Sequence, residues 1–66
     1  MKIGNKIKEL MAVKGYTQQK VAEMLGVRQN TVSQWITDTN EPNCQTIIAL
    51  CKILDTTPNE LLGWED

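Results

Sequence analysis

Apolar residues recur along the chain at the three- and four-residue spacing that places side chains on one face of an α-helix. The first series consists of Ile3, Ile7, Leu10 and Met11. Gly15 follows this series, and glycine commonly ends a helix because it adopts the left-handed conformation without strain. The pattern therefore predicts a first helix that ends just before Gly15.

Two further helices are predicted over residues 18–25 and from about residue 29 to residue 36. Gly26 separates them, and glycine can take the positive φ that a tight turn requires. Val32 and Trp35 are expected to anchor the later of these two helices in the core. The two helices and their turn are therefore interpreted as a helix-turn-helix.

The rest of the chain predicts two more helices after a polar loop. Asn43 is suited to cap the fourth helix, and the run Thr57-Pro58-Asn59-Glu60 has the form of a capping box that opens a short fifth helix closed by Gly63. The apolar face of the fourth helix comprises Ile47, Leu50, Cys51 and Leu54. No segment alternates convincingly as a strand. We therefore predict an all-α domain of five short helices over residues 1–66, with the helix-turn-helix at about residues 17–37.

The third predicted helix carries polar side chains on the face opposite Val32 and Trp35. They are Gln29, Asn30, Ser33 and Gln34, and they span about 140° of arc at the helical period. An ordinary surface helix favours Glu and Lys at such positions. A side-chain amide offers a donor and an acceptor together, which is the pairing that reads N6 and N7 of adenine in the major groove. This face therefore indicates a surface that reads bases.

The charge distribution allows a nucleic-acid partner but does not establish one. The net charge is −1. Residues 1–28 carry six lysines and arginines against two glutamates, whereas residues 29–66 carry one lysine against six acidic residues. A molecule polarised in this way can present one basic face to phosphate while it remains acidic overall.

The composition favours neither a metal site nor an enzyme. The chain has no histidine, and Cys44 and Cys51 lie about 10.5 Å apart along a helix axis, which is too far for a disulfide. Both cysteines are expected to be small apolar residues on the inner face of the fourth helix. There is no glycine-rich phosphate loop and no nucleophile with a base partner, so we expect no catalysis, metal or cofactor. Without an apolar run of about 18 residues or a signal-peptide profile, we expect a cytoplasmic protein.

Two runs of residues carry a resemblance to a known family. The run Gly-Tyr-Thr-Gln-Gln-Lys-Val-Ala-Glu-Met-Leu-Gly-Val at 15–27, followed by Thr-Val-Ser-Gln-Trp at 31–35, resembles the lambda-repressor/Cro-type helix-turn-helix domain. It is also similar to the xenobiotic-response-element class of bacterial regulators. The similarity continues to the run Pro58-Asn59-Glu60-Leu61-Leu62 and is closest to the lambdoid phage repressors. It implies a five-helix DNA-binding fold and a bacterial or phage-encoded repressor of transcription, associated with the nucleoid.

The resemblance also assigns roles to matching positions. That family contacts bases with the start of its third helix, which implies base reading by Arg28, Gln29, Asn30, Ser33 and Gln34. It contacts phosphate at the start of its second helix and approaches the DNA backbone with the loop after the third helix. The implied phosphate contacts are Thr17, Gln18, Gln19, Thr37, Thr39 and Asn40.

Three departures from the family pattern affect these assignments. Arg28 stands where Ser or Thr usually caps the third helix, which leaves the cap geometry open. The family often has Trp-Glu-x-Gly where this chain has Trp35-Ile36-Thr37-Asp38, so the path of the loop is also open. Asp38 is expected to repel a nearby phosphate, and the loop lacks basic residues, so we expect weakened affinity.

A two-fold dimer is expected because one recognition helix contacts only about four or five base pairs. We therefore expect a homodimer on a palindromic operator in double-stranded DNA. The end of the chain offers large apolar side chains for the dimer contact, namely Leu61, Leu62 and Trp64. The alternative is that Trp64 folds back on its own fourth helix.

The sequence leaves several functions open within and beyond this class. A prophage repressor, an antitoxin and a restriction-modification controller are not distinguished by these residues. The alternative class is a helical protein-interaction module with weak or no DNA binding. The acidic overall charge, Asp38 and the absence of basic residues in the loop favour that alternative.

Overall fold

The computed structural model describes residues 2–63, and in this part of the chain it contains five α-helices and no strand. The all-α prediction of five short helices is confirmed. The helices are α1 (Gly4–Lys14), α2 (Gln18–Leu25), α3 (Gln29–Ile36), α4 (Cys44–Leu54) and α5 (Pro58–Leu61). None of these helices has both the length and the apolar character that crossing a membrane would require.

Three helices begin at side-chain caps, and for α4 and α5 these are the caps that the sequence predicts. In each case the cap side chain accepts a hydrogen bond from a backbone N–H in the first turn, which satisfies one of the donors left without a helical partner. The bonds run from Lys20 N to Thr17 Oγ1 (3.0 Å), from Thr46 N to Asn43 Oδ1 (2.8 Å) and from Glu60 N to Thr57 Oγ1 (3.2 Å).

The turn between α2 and α3 has the geometry expected of it. Gly26 has a φ of 69°, in the left-handed region. Val27 N donates to Ala22 O at 3.0 Å and Gly26 N donates to Glu23 O at 3.3 Å, so the last carbonyl groups of α2 are satisfied in a Schellman motif. The half-buried Val27 packs against the core, which fixes the direction in which the chain enters α3.

All five helices contribute to a single core. Each supplies one of the five largest fully buried side chains: Ile7, Val21, Val32, Leu50 and Leu61.

The burial of Leu61 corrects one expectation about the dimer contact. Leu61 is only 1% exposed because α5 packs it against the core, so its side chain offers no surface to a partner.

The two cysteines lie in different environments. Cys51 is buried on the apolar face of α4, and this burial raises the pKa of its thiol, so the thiol stays protonated and packs as a small apolar group. Cys44 is exposed. The prediction that both cysteines pack as small apolar residues is therefore right for Cys51 and wrong for Cys44, because the first turn of α4 extends past the edge of the core.

Candidate nucleic-acid interface

Helix α3 is anchored in the core through one face and leaves the opposite face uncovered. Val32 is fully buried and Trp35 is 4% exposed, as the periodicity predicts. The uncovered face carries the exposed Gln29 and Asn30 together with the half-buried Ser33 and Gln34. Because Val32 and Trp35 fix the rotation of α3 about its axis, these four polar side chains are held in a defined orientation.

The N-terminus of α2 lies beside this polar face. Gln18 lines a shallow depression together with Gln29, Asn30 and Ser33. The sequence predicts separate roles for Gln18 and for the α3 residues. The structure brings Gln18 and these three α3 residues to one surface. This surface is rich in side-chain amides, which carry no charge and can both donate and accept hydrogen bonds.

The side chains of Thr17 and Gln19 form hydrogen bonds within α2 and its cap. The hydroxyl of Thr17 caps the helix, as described above, and Gln19 Nε2 donates to Glu23 Oε1 at 3.4 Å. Gln18 is therefore the one member of this predicted phosphate-contact group that lines the depression with the α3 residues.

Arg28 is the residue that precedes α3, and it does not cap the helix with its side chain. Its backbone is extended, with φ −77° and ψ 147°, and no side-chain hydrogen bond caps the first turn of α3. A helix terminus without a side-chain cap directs its first N–H groups outward, at the positive end of the helix dipole. The exposed Arg28 adds a cation at the edge of the polar face.

The loop after α3 folds back onto the helix that precedes it. Thr37 Oγ1 donates to Ser33 O at 3.1 Å and lies 2.8 Å from Thr39 Oγ1. Asn40 Nδ2 donates to Gln34 Oε1 at 2.7 Å. Thr37, Thr39 and Asn40, which the sequence assigns to phosphate, are thus also bound to α3 or to one another.

Asp38 takes the place of the glycine that the family pattern has in this loop. Its φ is 59°, so an aspartate occupies the left-handed position that glycine fills in the family pattern. Thr39 N donates to Gln34 O at 2.9 Å and Asp38 N to Trp35 O at 3.2 Å, which ends α3 in the same way as α2. The loop therefore follows a regular path without a glycine.

The carboxylate of Asp38 is bound to the start of α1. Its Oδ1 accepts hydrogen bonds from Ile3 N at 3.1 Å and from Gly4 N at 3.0 Å. A negative charge at a helix N-terminus is stabilised by the dipole and satisfies the first amides. Asp38 therefore ties α1 to the end of α3, a role that the sequence analysis missed because the bonded residues are more than 30 positions apart.

We expect Asp38→Ala to lower the free energy of unfolding by about 1 kcal/mol, the typical loss when a capping side chain is removed. Alanine keeps the strained positive φ and loses both hydrogen bonds. Asp38→Gly loses the same bonds but adopts the positive φ without strain, so we expect a smaller loss. Urea unfolding of both variants measures the difference, and an unchanged midpoint for Asp38→Ala contradicts the assigned cap.

The cations of residues 1–28 do not all gather around α3. Lys14 Nζ lies 3.1 Å from Asp55 Oδ2 at the end of α4. Lys2 and Lys6 line a depression with residues 59–63 of α5 and its C-terminal end. The charge asymmetry along the chain therefore does not translate into one basic face, and Arg28 is the cation placed directly at the start of α3.

Leu62 and Trp64 are the other residues assigned to a dimer contact. Leu62 is half-buried and lines the depression beside Lys2 and Lys6. Trp64 lies outside the described residues.

A family model matches most of the chain. The model for the Cro/C1-type HTH DNA-binding domain matches residues 6–66. Among solved structures, the P22 c2 repressor protein in complex with the synthetic operator 9T is similar with a TM-score of 0.85 and 30% sequence identity. That match covers 92% of this chain and 92% of the repressor chain.

Two curated relatives match over the whole of this chain. The HTH-type transcriptional regulator ImmR of Bacillus subtilis (strain 168) is 30% identical over 66 residues, which are 52% of its own length. The HTH-type transcriptional activator BcrR of Enterococcus faecalis is also 30% identical over 66 residues, which are 32% of its length. The chain thus spans about half of one relative and about a third of the other.

Proposed function

Because the chain belongs to the family of Cro/C1-type helix-turn-helix DNA-binding domains, we propose that it regulates transcription as a repressor by placing α3 in the major groove of double-stranded DNA. The observation that carries this proposal is the shared surface of Gln18 with Gln29, Asn30 and Ser33. It sets an amide at the start of α2 beside the polar face of α3. The protein acts in the cytoplasm, at the DNA, and needs no cofactor.

Base reading is assigned to the uncovered face of α3. Gln29 and Asn30 are exposed in its first turn, and Ser33 follows one turn later on the same side. Their side chains can pair with the edges of bases, adenine in particular, while the core holds the helix from behind. Arg28 and Gln34 complete this group. Arg28 can donate to guanine or phosphate from the edge of the face.

Phosphate binding is assigned to the helix termini and the loop around this face. Gln18 is the principal contact, because it borders the base-reading residues. Thr17 and Gln19 support the same approach at the N-terminus of α2, where the helix dipole favours an anion. Thr37 and Thr39 are the weaker contacts, because their hydroxyl groups are already hydrogen-bonded to α3 and to each other.

Repression is favoured by the similar solved structure, which is a repressor in complex with an operator and matches over 92% of both chains. The relative BcrR, by contrast, is named as an activator. The acidic residue that favoured a protein-interaction module without DNA binding is Asp38. Its carboxylate is bound to the start of α1, so its repulsion of phosphate is reduced.

We propose that the active form is a homodimer on a palindromic operator. A recognition helix of eight residues contacts about four or five base pairs, which is too short a site to be unique in a genome. Two copies read two half-sites about 34 Å apart on one side of the duplex. With Leu61 buried in the core, the dimer contact is assigned to Leu62 and Trp64.

Footprinting tests the dimer directly. We expect protection of a palindromic site of roughly 14–20 base pairs, which corresponds to two half-sites one helical turn apart. Trp64→Ala is expected to reduce the cooperativity of binding without unfolding the monomer. Protection of a single half-site of about four or five base pairs at saturation contradicts the dimer.

A further inference from the structure

We propose that Asn40 is a positioning residue that sets the base preference of Gln34, rather than a phosphate contact. This inference rests on the proposed function, because it assumes that Gln34 faces the DNA. It concerns which end of the Gln34 amide is presented to a base. The two ends differ chemically, since the oxygen accepts hydrogen bonds and the NH2 group donates them.

The Gln34 side chain is held by the loop that follows its own helix. Asn40 Nδ2 donates to Gln34 Oε1 at 2.7 Å. The backbone supports this contact, because Asn40 N also donates to Gln34 O at 3.3 Å and Thr39 N donates to the same oxygen at 2.9 Å. Asn40 therefore approaches Gln34 from a loop that is itself tied to α3.

This contact distinguishes the two ends of the Gln34 amide. The oxygen is turned toward Asn40 and accepts one hydrogen bond from it, whereas the NH2 group makes no hydrogen bond within residues 2–63. Gln34 accordingly presents a donor to its surroundings. On the major-groove edge, guanine offers two acceptors, N7 and O6, whereas adenine offers the acceptor N7 beside the donor N6. With its oxygen turned toward Asn40, Gln34 therefore prefers guanine to adenine. An unrestrained amide can instead turn to match adenine.

The phosphate role that the sequence suggests for Asn40 predicts a different effect of substitution. A phosphate oxygen can only accept hydrogen bonds, so Asn40 would need its NH2 group for such a contact. One hydrogen of that group is directed at Gln34 Oε1, and only the other remains for a phosphate. A phosphate contact also lowers affinity for all sequences when it is removed, whereas a positioning residue changes the ratio of affinities between sequences.

The experiment measures affinities for operators that carry each of the four base pairs at the position read by Gln34. That position is identified as the one at which Gln34→Ala loses its preference. We expect the wild-type chain to favour guanine over adenine there by about fivefold or more, the lower end for a good bidentate contact. Asn40→Ala is expected to bring this ratio close to one, with little change in affinity for random DNA.

Asn40→Asp provides the matched variant, because aspartate has nearly the same shape but cannot donate. It accepts a hydrogen bond from Gln34 Nε2, which turns the Gln34 oxygen toward the DNA and shifts the preference to adenine or cytosine, whose amino groups donate. Asn5→Asp adds the same charge at an exposed position of α1 and controls for general repulsion. We expect Asn5→Asp to leave the guanine-to-adenine ratio unchanged.

Two results overturn the inference. One is an equal loss of affinity on preferred and random DNA for Asn40→Ala, which identifies Asn40 as a phosphate contact. The other is a guanine-to-adenine ratio that neither Asn40 variant changes. If Gln34→Ala keeps the full preference at every base pair, Gln34 does not read a base. That result is separate from any effect of Asn40. Circular dichroism of each variant verifies that its helices are intact.

Discussion

Replacing Gly4 with alanine is expected to lower the free energy of unfolding by about 3 kcal/mol, the upper range for overpacking a closely packed site. Gly4 is the first residue of α1, and it lies against the end of α3. A Cβ atom at this position would collide with the backbone oxygen of Ile36, would lie 2.6 Å from the carbonyl carbon of Ile36 and would lie 2.8 Å from the oxygen of Trp35. These are backbone atoms, so no side-chain rotation relieves the collision.

The neighbouring residue provides the control for this prediction. Asn5 is exposed in the same turn of α1, and alanine is a better helix former than asparagine. Asn5→Ala is therefore expected to be neutral or slightly stabilising. Urea unfolding of both variants measures the difference, and a Gly4→Ala variant within about 0.5 kcal/mol of the wild-type chain shows that α1 does not approach α3 this closely.

The second large effect is expected on DNA. Gln29→Ala should weaken binding to the preferred site by about 1–3 kcal/mol and binding to random DNA by little, because a lost base contact affects only the sequence that it reads. Gln18→Ala should instead weaken binding to both kinds of DNA, because a phosphate contact does not depend on sequence. The two glutamines line the same depression, so the pair compares two roles on one surface.

Titrations with the preferred duplex and a scrambled duplex of equal length measure these losses. Both glutamines lie at the surface, where substitutions usually change the free energy of unfolding by no more than about 0.5 kcal/mol. Unfolding curves of the two variants therefore separate effects on folding from effects on binding. Equal losses on both duplexes for Gln29→Ala contradict its assignment as a base-reading residue.

The helix-turn-helix was predictable because its signals are local. The observed bounds of α2 and α3, Gln18–Leu25 and Gln29–Ile36, agree with the predicted ranges. Thr17 begins α2 through a bond that spans three residues, and Gly26 ends it through a positive φ of its own. Such signals require no knowledge of the rest of the fold, and the same holds for the inward positions of α3.

The contacts that modify the candidate site were not predictable in the same way. Asp38 is bound to the start of α1, and no local pattern shows that these segments meet. From the sequence alone Asp38 is expected to repel phosphate, whereas in the structure its carboxylate binds the start of α1. The presence of a non-glycine residue at a position where the family has glycine was the one available signal, because aspartate tolerates a positive φ better than most residues do.

Burial near the end of the chain depends on packing between helices. Leu61 and Leu62 are adjacent leucines, yet Leu61 is buried and Leu62 is partly exposed. The side chain of Leu61 is directed into the core from α5, which contains only four residues, whereas Leu62 follows the end of that helix. A periodicity argument has too few positions in such a helix to assign an inward face.

Sequence-specific binding of double-stranded DNA through α3 is tested most directly by selection of bound duplexes from a random pool. The selected duplex and a scrambled duplex are then titrated at ~150 mM salt. We expect an enriched palindrome, bound roughly 1,000-fold more tightly than the scrambled duplex, with the difference reduced by Gln29→Ala. Failure to enrich any sequence, or equal affinity for both duplexes, contradicts sequence-specific binding.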